Sequence, residues 1–330
     1  MEPVVEFLDF KKLIKVLVNS SFVGASIINE ISNSKSLNVM QKGYNNPVTR
    51  ADILVQKFYS KQIFSVNSKI KIIGEENKDS FSKFEYDFEK YSKILNHDIL
   101  DEKIIDNIIQ KSPTLSKKVD IKSVVIFIDP LDGTIGFVEG NLQYVTSLIG
   151  ITVNNIPEIG FVSYPKDEQC KKTLFLGVRN VGTTQISLED ETNSTFKVTD
   201  LLKPKINFPR LICCKTIHHE NPKTSAAVEC IKPSEILLIG GAGNKILNVA
   251  KGNCDVFIYS VNGGMCLWDS CAPQVILETM GGKLTQFDGN PINYASNDLG
   301  INGALACRTE EIYSDCLNKI NLSRAYLNTL

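Results

Sequence analysis

The residues with the most evident chemistry are Asp129-Pro130-Leu131-Asp132-Gly133-Thr134, which follow the apolar run 124–128. An apolar run of this length that ends at Asp-Pro indicates a buried strand that stops at a turn. Asp129 and Asp132 offer hard oxygen ligands that suit Mg²⁺, and Gly133 lets the backbone approach a phosphate closely. The Thr134 hydroxyl could orient a water while nearby backbone N–H groups bind an anion. The alternative is an ordinary turn, since Asp-Pro and Asp-Gly both favour turns.

Three further acidic segments could contribute to the same site. Gly74-Glu75-Glu76 follows a short apolar stretch, and adjacent acids on a strand cannot share one face, so one would ligate metal while the other faces elsewhere. Asp269 precedes a helix expected over Ser270–Met280, with Pro273 in its first turn, and the alternative role for Asp269 is an N-cap. Asp52 opens another helix, where it could simply complement the helix dipole. Several converging carboxylates would need two or three divalent cations, because like charges repel.

A glycine-rich loop, Gly240-Gly241-Ala242-Gly243-Asn244-Lys245, lies between a predicted strand and a predicted helix. Exposed N–H groups at a helix N-terminus favour anions, and Lys245 adds a positive charge. The loop matches neither a Walker A motif nor a dinucleotide fingerprint, and tight helix–strand packing explains it nearly as well. His218 and His219 lie on a loop without zinc-type spacing.

The composition excludes several classes of protein. The 330 residues carry a net charge of −1, which argues against nonspecific binding to nucleic acid. We find no stretch near the roughly 18 apolar residues of a membrane span and no secretory signal, so no membrane association is expected. The nine cysteines show no zinc spacing. This usage predicts buried thiols in a reducing cytosol.

The hydrophobic pattern predicts which elements carry these residues. Helical periodicity covers residues 7–31 and a second segment that begins near Thr49. Residues 77–122 are charged and are expected to form a surface excursion around one amphipathic helix. From residue 124 to about 188 the pattern is β, and the polar residues 189–205 are expected to form a boundary or an exposed loop.

Three of these segments together resemble a known signature. Gly74-Glu75-Glu76, Asp129-Pro130-Leu131-Asp132-Gly133-Thr134 and Trp268-Asp269-Ser270-Cys271-Ala272-Pro273 occur in the order found in the lithium-sensitive, Mg²⁺-dependent phosphatases of the inositol monophosphatase superfamily. Within that superfamily the chain looks most like the 3'(2'),5'-bisphosphate nucleotidases, because of the run 240–246 that leads to Trp268 and then to Gly281-Gly282-Lys283-Leu284. The likeness covers the chain from about Phe10 to Leu322.

The resemblance implies an α/β fold, a layered αβαβα sandwich of the inositol monophosphatase and fructose-1,6-bisphosphatase type. Residues 1–200 would form an α+β domain with a mainly antiparallel sheet and most metal ligands. Residues 201–330 would form an α/β domain with the nucleotide-contacting loops and Asp269. The alternation of strands and helices after residue 210 independently predicts a more parallel second layer.

The resemblance also implies a role for each matching residue. Metal ligation falls to Glu75, Asp129, Asp132, Asp269 and the carbonyl of Leu131. Asp52 and Thr134 would position and deprotonate the attacking water, and the backbone N–H groups of Gly133 and Thr134 would hold the phosphate. Contacts to the nucleotide fall to Thr216, His219, Gly241 and Lys245.

The implied reaction is hydrolysis of the 3'-phosphate of 3'-phosphoadenosine 5'-phosphate to AMP and phosphate, by water that two or three Mg²⁺ ions activate. Inositol 1,4-bisphosphate is a further expected substrate. The alternatives are an inositol polyphosphate 1-phosphatase and a catalytically silent nucleotide sensor on the same scaffold. Two departures, at Ile135-Gly136-Phe137 and at Thr216-Ile217-His218-His219, bear on substrate preference. The expected partners are small molecules, with a monomer or weak homodimer in the cytoplasm that serves sulfur assimilation.

Overall fold

Two β-sheets alternate with layers of helices in this computed structural model. The structure describes residues 5–34, 36–43, 46–191, 194–201, 210–218 and 221–329. The helices are α1 (Phe10–Ser34), α2 (Arg50–Val66), α3 (Ser92–Leu95), α4 (Glu102–Lys111), α5 (Thr134–Val138), α6 (Pro222–Ile231), α7 (Ala242–Lys251), α8 (Leu267–Thr279), α9 (Glu310–Leu322) and α10 (Arg324–Leu327). The strands are β1 (Met40–Gly43), β2 (Asn46–Val48), β3 (Lys71–Gly74), β4 (Val124–Asp132), β5 (Thr146–Val153), β6 (Ile156–Tyr164), β7 (Thr173–Val178), β8 (Gly182–Asp190), β9 (Thr195–Leu201), β10 (Ile212–Thr216), β11 (Glu235–Ile239), β12 (Val256–Cys266), β13 (Lys283–Thr285) and β14 (Gly300–Cys307).

The larger sheet has seven strands in the order β3-β4-β5-β6-β7-β8-β9. Only the β3–β4 pair is parallel, and the other pairs are antiparallel. The smaller sheet has the order β11-β10-β12-β14-β13, with β10 parallel to both neighbours and the remaining pairs antiparallel. The expected parallel layer is therefore only half parallel. Strands β1 and β2 form a separate hairpin.

Side chains that alternate along the strands separate three apolar cores and so define the layers. Ile126 and Ile128 of β4 face α1 and α2, while Phe127 faces α7 and α8. The far face of α7 and α8 packs on the smaller sheet, whose other face packs on α6 and α9. The order is thus helix, sheet, helix, sheet, helix, which confirms the predicted αβαβα fold. The division into domains at residue 200 stays a prediction.

Helix α8 lies unusually close to the larger sheet. Gly150, Gly160 and Gly177 pair directly across β5, β6 and β7, and we call them the glycine lane. A Cβ atom at each would collide with α8; at Gly160 it would lie 2.2 Å from the carbonyl oxygen of Ala272. The lane therefore seats the helix that begins just before Asp269.

Helix α1 is long and apolar enough, by length and composition alone, to cross a membrane. The expectation that no stretch comes near that measure is wrong. However, 72% of its most apolar 18-residue window is buried inside the protein. Leu13, Leu17 and Val18 are fully buried and belong to the core shared with α2 and the larger sheet. The helix is built as a core element.

Three other expectations from the sequence need correction. Residues 77–122 contain the expected amphipathic helix, α4, but they are more than a surface excursion, since Ile99, Leu100 and Ile105 join the core with α1. The tract 189–205 contains strand β9, which pairs along its length with β8. Pro273 lies seven residues into α8 rather than in its first turn.

Candidate active site

The parallel pairing of β3 and β4 brings the first two acidic segments together. Gly74 lies opposite Ile128, and the Glu75 N–H donates to the Ile128 carbonyl over 3.0 Å. Since parallel strands end at the same edge of a sheet, Glu75 lies beside Asp129. The β4–β5 pairing then shifts between Asp129 and Asp132, a bulge that turns both aspartates toward the same edge.

Asp269 is held at the start of α8. It is the third residue of the helix, and its Oδ2 accepts the backbone N–H of Cys266, the N-cap residue, over 2.5 Å. The alternative that Asp269 is the N-cap residue is therefore wrong, because the N-cap is Cys266, three positions earlier. Its second oxygen remains available toward the other carboxylates.

Asp132 connects the larger sheet to helix α7. Its Oδ2 accepts the Thr146 hydroxyl over 2.8 Å, and its two oxygens accept the N–H groups of Ala242 (2.7 Å) and Gly243 (2.9 Å) at the start of α7. A carboxylate at a helix N-terminus is favoured by the helix dipole. Asp132 thus fixes α7 relative to β4 while it faces the other acids.

Asp129, Asp132 and Asp269 form an acidic cluster, with one carboxylate oxygen of each within 4.8 Å of the others. Burial raises the pKa of Asp269 to about 7, and the charges of Asp132 and Glu75 add to that effect. Burial also raises the pKa of Asp129 well above its ordinary value, and the charges of Glu75, Asp269 and Asp132 raise it further. Buried carboxylates this close are stable together as anions when cations neutralise them, so the donor set fits a hard divalent metal.

Thr134 and Asp52 form a second group beside the cluster. The Thr134 Oγ1 lies 3.2 Å from Asp52 Oδ1 and 3.1 Å from the Leu131 carbonyl oxygen. Asp52 is the third residue of α2, where its Oδ2 accepts both the N–H (2.7 Å) and the hydroxyl (2.5 Å) of the N-cap residue Thr49. Those two bonds leave Oδ1 for Thr134. Burial raises the pKa of Asp52 to about 7, against the bonds from Thr49.

Glu75 and Glu76 share one cation from the β1–β2 hairpin. The Lys42 ammonium lies 3.0 Å from Glu75 Oε1 and forms a shorter ion pair with Glu76 Oε1. Only Glu75 of this pair lines the cavity described next, among the residues that the structure describes. The expectation that the second acid faces elsewhere therefore holds for the cavity, but both acids contact the same lysine.

A cavity of about 390 Å³ opens over these groups. The proposed ligands, including Leu131, line it together with Gly133 and Thr134. Thr216, Gly241 and Lys245 also line it, from the smaller sheet and the start of α7. His219 lies outside the described residues, although its neighbour His218 lines the cavity. Asp52 is not among the lining residues and contacts Thr134, which is one of them. The other predicted residues that the structure describes line one space, and the individual roles stay predictions.

The family model that describes the inositol monophosphatase family matches residues 9–320. The chain belongs to the inositol monophosphatase family. It is therefore a phosphatase, and phosphatases of this family depend on metal, which agrees with the acidic cluster.

Curated relatives within and around this family are similar over most of their length. The 3'(2'),5'-bisphosphate nucleotidase 1 of Dictyostelium discoideum is 31% identical over 290 residues, which is 88% of this chain and 89% of the relative. The human protein of the same name is 29% identical over 78% of this chain and 76% of the relative. The human Golgi-resident adenosine 3',5'-bisphosphate 3'-phosphatase is 25% identical over 90% of this chain and 76% of the relative.

Solved structures of the family confirm the fold. The extragenic suppressor protein suhB from Bartonella henselae has a TM-score of 0.66 at 16% identity, and covers 93% of this chain and 98% of its own. CysQ from Bacteroides thetaiotaomicron has a TM-score of 0.61 at 20% identity, and covers 89% of this chain and 97% of its own. A further family structure, SaIMPase-II, contains bound 2'AMP and has a TM-score of 0.64 at 17% identity, over 96% of this chain and 97% of its own.

Two glycines of the family site have backbone conformations that favour glycine. Gly133 has a φ of +86°, and a Cβ there would lie 2.7 Å from the Tyr144 carbonyl oxygen. Gly241 has a φ of +73°, and a Cβ there would lie 2.6 Å from the same oxygen and 2.8 Å from Asp132 Oδ2. Larger residues would push the start of α7 away from Asp132.

Sequence reasoning missed several residues that shape this phosphatase site. Phe257, Tyr259 and Met265 form an apolar wall of the cavity. Lys42 and Thr146 contact the acids from distant segments, and no local pattern reveals them. The spacing of Thr49 and Asp52 is a detectable signal, since a hydroxyl residue three positions before an acid is typical of a capping box.

Proposed function

We propose that this phosphatase hydrolyses the 3'-phosphate of 3'-phosphoadenosine 5'-phosphate to AMP and phosphate, with Mg²⁺ as its metal. The observation that carries the proposal is the acidic cluster of Asp129, Asp132 and Asp269 beside the Thr134–Asp52 pair. Together they provide a metal site and a water-activating group on one cavity.

Asp52 and Thr134 supply the base. The Thr134 hydroxyl donates to Asp52 Oδ1, which leaves a lone pair on the Thr134 oxygen to accept a proton from an attacking water. The two bonds from Thr49 hold Asp52 Oδ2, so the carboxylate cannot rotate away from Thr134 without breaking them. Buried in this way, Asp52 keeps a raised pKa, which brings it close to neutral pH as a proton acceptor.

The cluster would hold two or three Mg²⁺ ions through Glu75, Asp129, Asp132, Asp269 and the carbonyl of Leu131. Bound there, the ions supply Lewis-acid stabilisation of phosphate charge and make water more acidic. The chain sets the positions of these ligands through the β4 bulge, the α8 capping bond and the N-terminus of α7. Gly133 and Thr134 line the cavity, and we propose that their backbone N–H groups orient the phosphate.

A covalent phosphoenzyme is not part of the proposal. Cys266 is the cysteine that lines the cavity among the described residues. Burial raises the pKa of its thiol to about 12, and the Asp269 charge raises it further. A thiol in that state is a poor nucleophile, so direct attack by water is favoured.

The apolar wall favours a nucleotide over an inositol phosphate. Phe257, Tyr259 and Met265 are themselves buried, but Trp268 beside them is partly exposed and adds aromatic surface on which a base can pack. An inositol ring carries a hydroxyl on every ring carbon that lacks phosphate and would leave that surface without a partner. Relatives at about 30% identity that are named as bisphosphate nucleotidases support the same choice.

The test measures phosphate release from 3'-phosphoadenosine 5'-phosphate and from inositol 1,4-bisphosphate, each with Mg²⁺, with EDTA and with added Li⁺. We expect faster release from the nucleotide, loss of activity in EDTA and inhibition by Li⁺. Faster release from the inositol substrate would keep the mechanism and favour an inositol polyphosphate 1-phosphatase. Silence on both substrates with Mg²⁺ present would contradict the proposal and favour a nucleotide sensor.

The biological setting is part of the proposal. We place the protein in a reducing cytosol, where it would remove a by-product of sulfur assimilation as a monomer or weak homodimer. All nine cysteines carry free thiols, which supports that setting.

A further inference from the structure

Gln56 is a buried polar residue near the site that has no assigned role. It lies on α2, one turn after Asp52, with 3% of its surface exposed. Its side-chain Nε2 donates to the Glu76 carbonyl oxygen over 2.5 Å, and its Oε1 accepts the Glu76 N–H over 2.9 Å. The amide therefore binds both backbone groups of one residue, as a neighbouring strand would.

The turn that carries Glu75 is shaped around this amide. A Cβ atom at Gly74 would lie 2.2 Å from Gln56 Nε2, and the other nearest atoms there also belong to Gln56. On the opposite side, the Glu75 N–H is bound to the Ile128 carbonyl oxygen. The backbone at Glu75 is thus held between β4 and α2.

The same helix fixes the base. Asp52 and Gln56 are four residues apart on α2, so they lie on one face of a rigid element. Asp52 contacts Thr134, and Gln56 contacts the residue after Glu75. Helix α2 therefore sets the distance between the water-activating pair and the first acid of the metal site.

Lys42 cannot hold Glu75 in place in the way that Gln56 does. Its ammonium contacts the side chains of Glu75 and Glu76, and a divalent cation on Glu75 would compete with that contact. The bonds of Gln56 go to the backbone, so they persist when Glu75 binds a cation.

We propose that Gln56 is a positioning residue that orders Glu75 for Mg²⁺ through the backbone of Glu76, an inference that rests on the proposed function. Residues that orient metal ligands typically contribute tenfold to a hundredfold in metal affinity.

The experiment is calorimetric titration of Mg²⁺ into chelator-treated protein, for the wild type and for Gln56→Met, which has similar length but no hydrogen-bonding groups. We expect Mg²⁺ to bind about tenfold more weakly to the variant. The Mg²⁺ concentration for half-maximal phosphate release should rise in parallel, with the substrate KM at saturating Mg²⁺ unchanged.

Gln274→Met is the matched control. Gln274 is also buried and helical. Its amide contacts Glu278 and Tyr294, and neither belongs to the proposed metal site. We expect this control to lower the unfolding temperature while Mg²⁺ affinity stays within twofold of the wild type.

A second set of variants separates folding from positioning. Gly74→Ala should destabilise the protein, because the new Cβ collides with Gln56. Adding Gln56→Ala removes the collision but leaves the backbone groups of Glu76 unpaired, so it should recover only part of the unfolding temperature and none of the Mg²⁺ affinity. Restored affinity in the double variant, or unchanged affinity in Gln56→Met, would overturn the inference while leaving the proposed function intact. A wild-type protein that binds no Mg²⁺ would overturn both.

Discussion

The two sides of the cavity are built differently. On the side of the larger sheet, Asp129, Asp132 and Thr134 lie on or just after one strand, and hydrogen bonds with Leu131, Thr146 and Asp52 hold them. On the side of the smaller sheet, Thr216 and Gly241 lie where strands β10 and β11 end. The first side places reacting groups rigidly, and the second supplies groups that a substrate would contact. We therefore expect reaction type and substrate preference to depend on different segments of this phosphatase.

The largest expected effect is on the acidic cluster, which both sides share. Asp269→Asn should lower turnover by about a thousandfold or more. The proposed metal site loses a ligand, and bound metal stabilises the charge that develops in the transition state by several kcal/mol. The asparagine oxygen can still accept the Cys266 N–H, so the start of α8 should persist. The unfolding temperature in EDTA should not fall. Turnover close to that of the wild type would remove Asp269 from the metal site.

Thr134→Ala tests the larger-sheet side alone. We expect kcat to fall by about 10²–10³-fold, because the hydroxyl that transfers the proton toward Asp52 is gone. Mg²⁺ affinity and KM should change little. Thr134→Ser is the matched control, since it keeps the hydroxyl and should recover most of the rate. An alanine variant as fast as the serine variant would contradict the water-activating role.

Lys245→Met tests the smaller-sheet side. Lys245 is buried on α7 and lines the cavity, so loss of its charge should raise KM by about tenfold to a hundredfold, with a smaller change in kcat. Lys251→Met, at the end of the same helix and near Glu168, is the control and should be neutral. If Lys245→Met lowers kcat and leaves KM unchanged, the proposed contrast between the two sides is wrong.

The smallest effect is on stability in the absence of metal. The pKa values of Asp52 and Asp269 are raised to about 7 in the fold, so from about pH 4 to pH 7 the native state binds more protons than the unfolded chain. Stability therefore falls as the pH rises through that window. In EDTA the unfolding temperature should drop between pH 5.5 and pH 8, and Mg²⁺ should flatten the slope. An unfolding temperature that rises with pH in EDTA would show that the fold does not raise the pKa values of these two carboxylates.

The sequence predicted the acidic segments and the locally marked strands better than the contacts between distant segments. Strands β5, β6 and β7 lie within residues 124–188, where the pattern predicts β structure, because β-branched and aromatic residues mark them locally. The acidic segments were predicted to meet, and the structure brings carboxylate oxygens of Asp129 and Asp132 within 4.8 Å of one on Asp269, while Glu75 lines the same cavity. Local residue types suffice for elements and motifs of this kind.

What the sequence could not reveal depends on distant partners. Strand β9 is polar and lies at a sheet edge, so its backbone pairing with β8 defines it rather than its pattern. Lys42, Gln56 and Thr146 are 14 to 34 residues away from the acids that they contact. Each becomes visible only when the fold closes those distances.

The glycine lane has a consequence for how the protein assembles. A slip of one residue in β6 would turn Ile159 or Phe161, instead of Gly160, toward α8. The helix could not then approach the sheet, and Asp269 would stay away from Asp129. Only correctly paired strands allow the acidic cluster to form, so cation binding reports that the sheet has reached its native register.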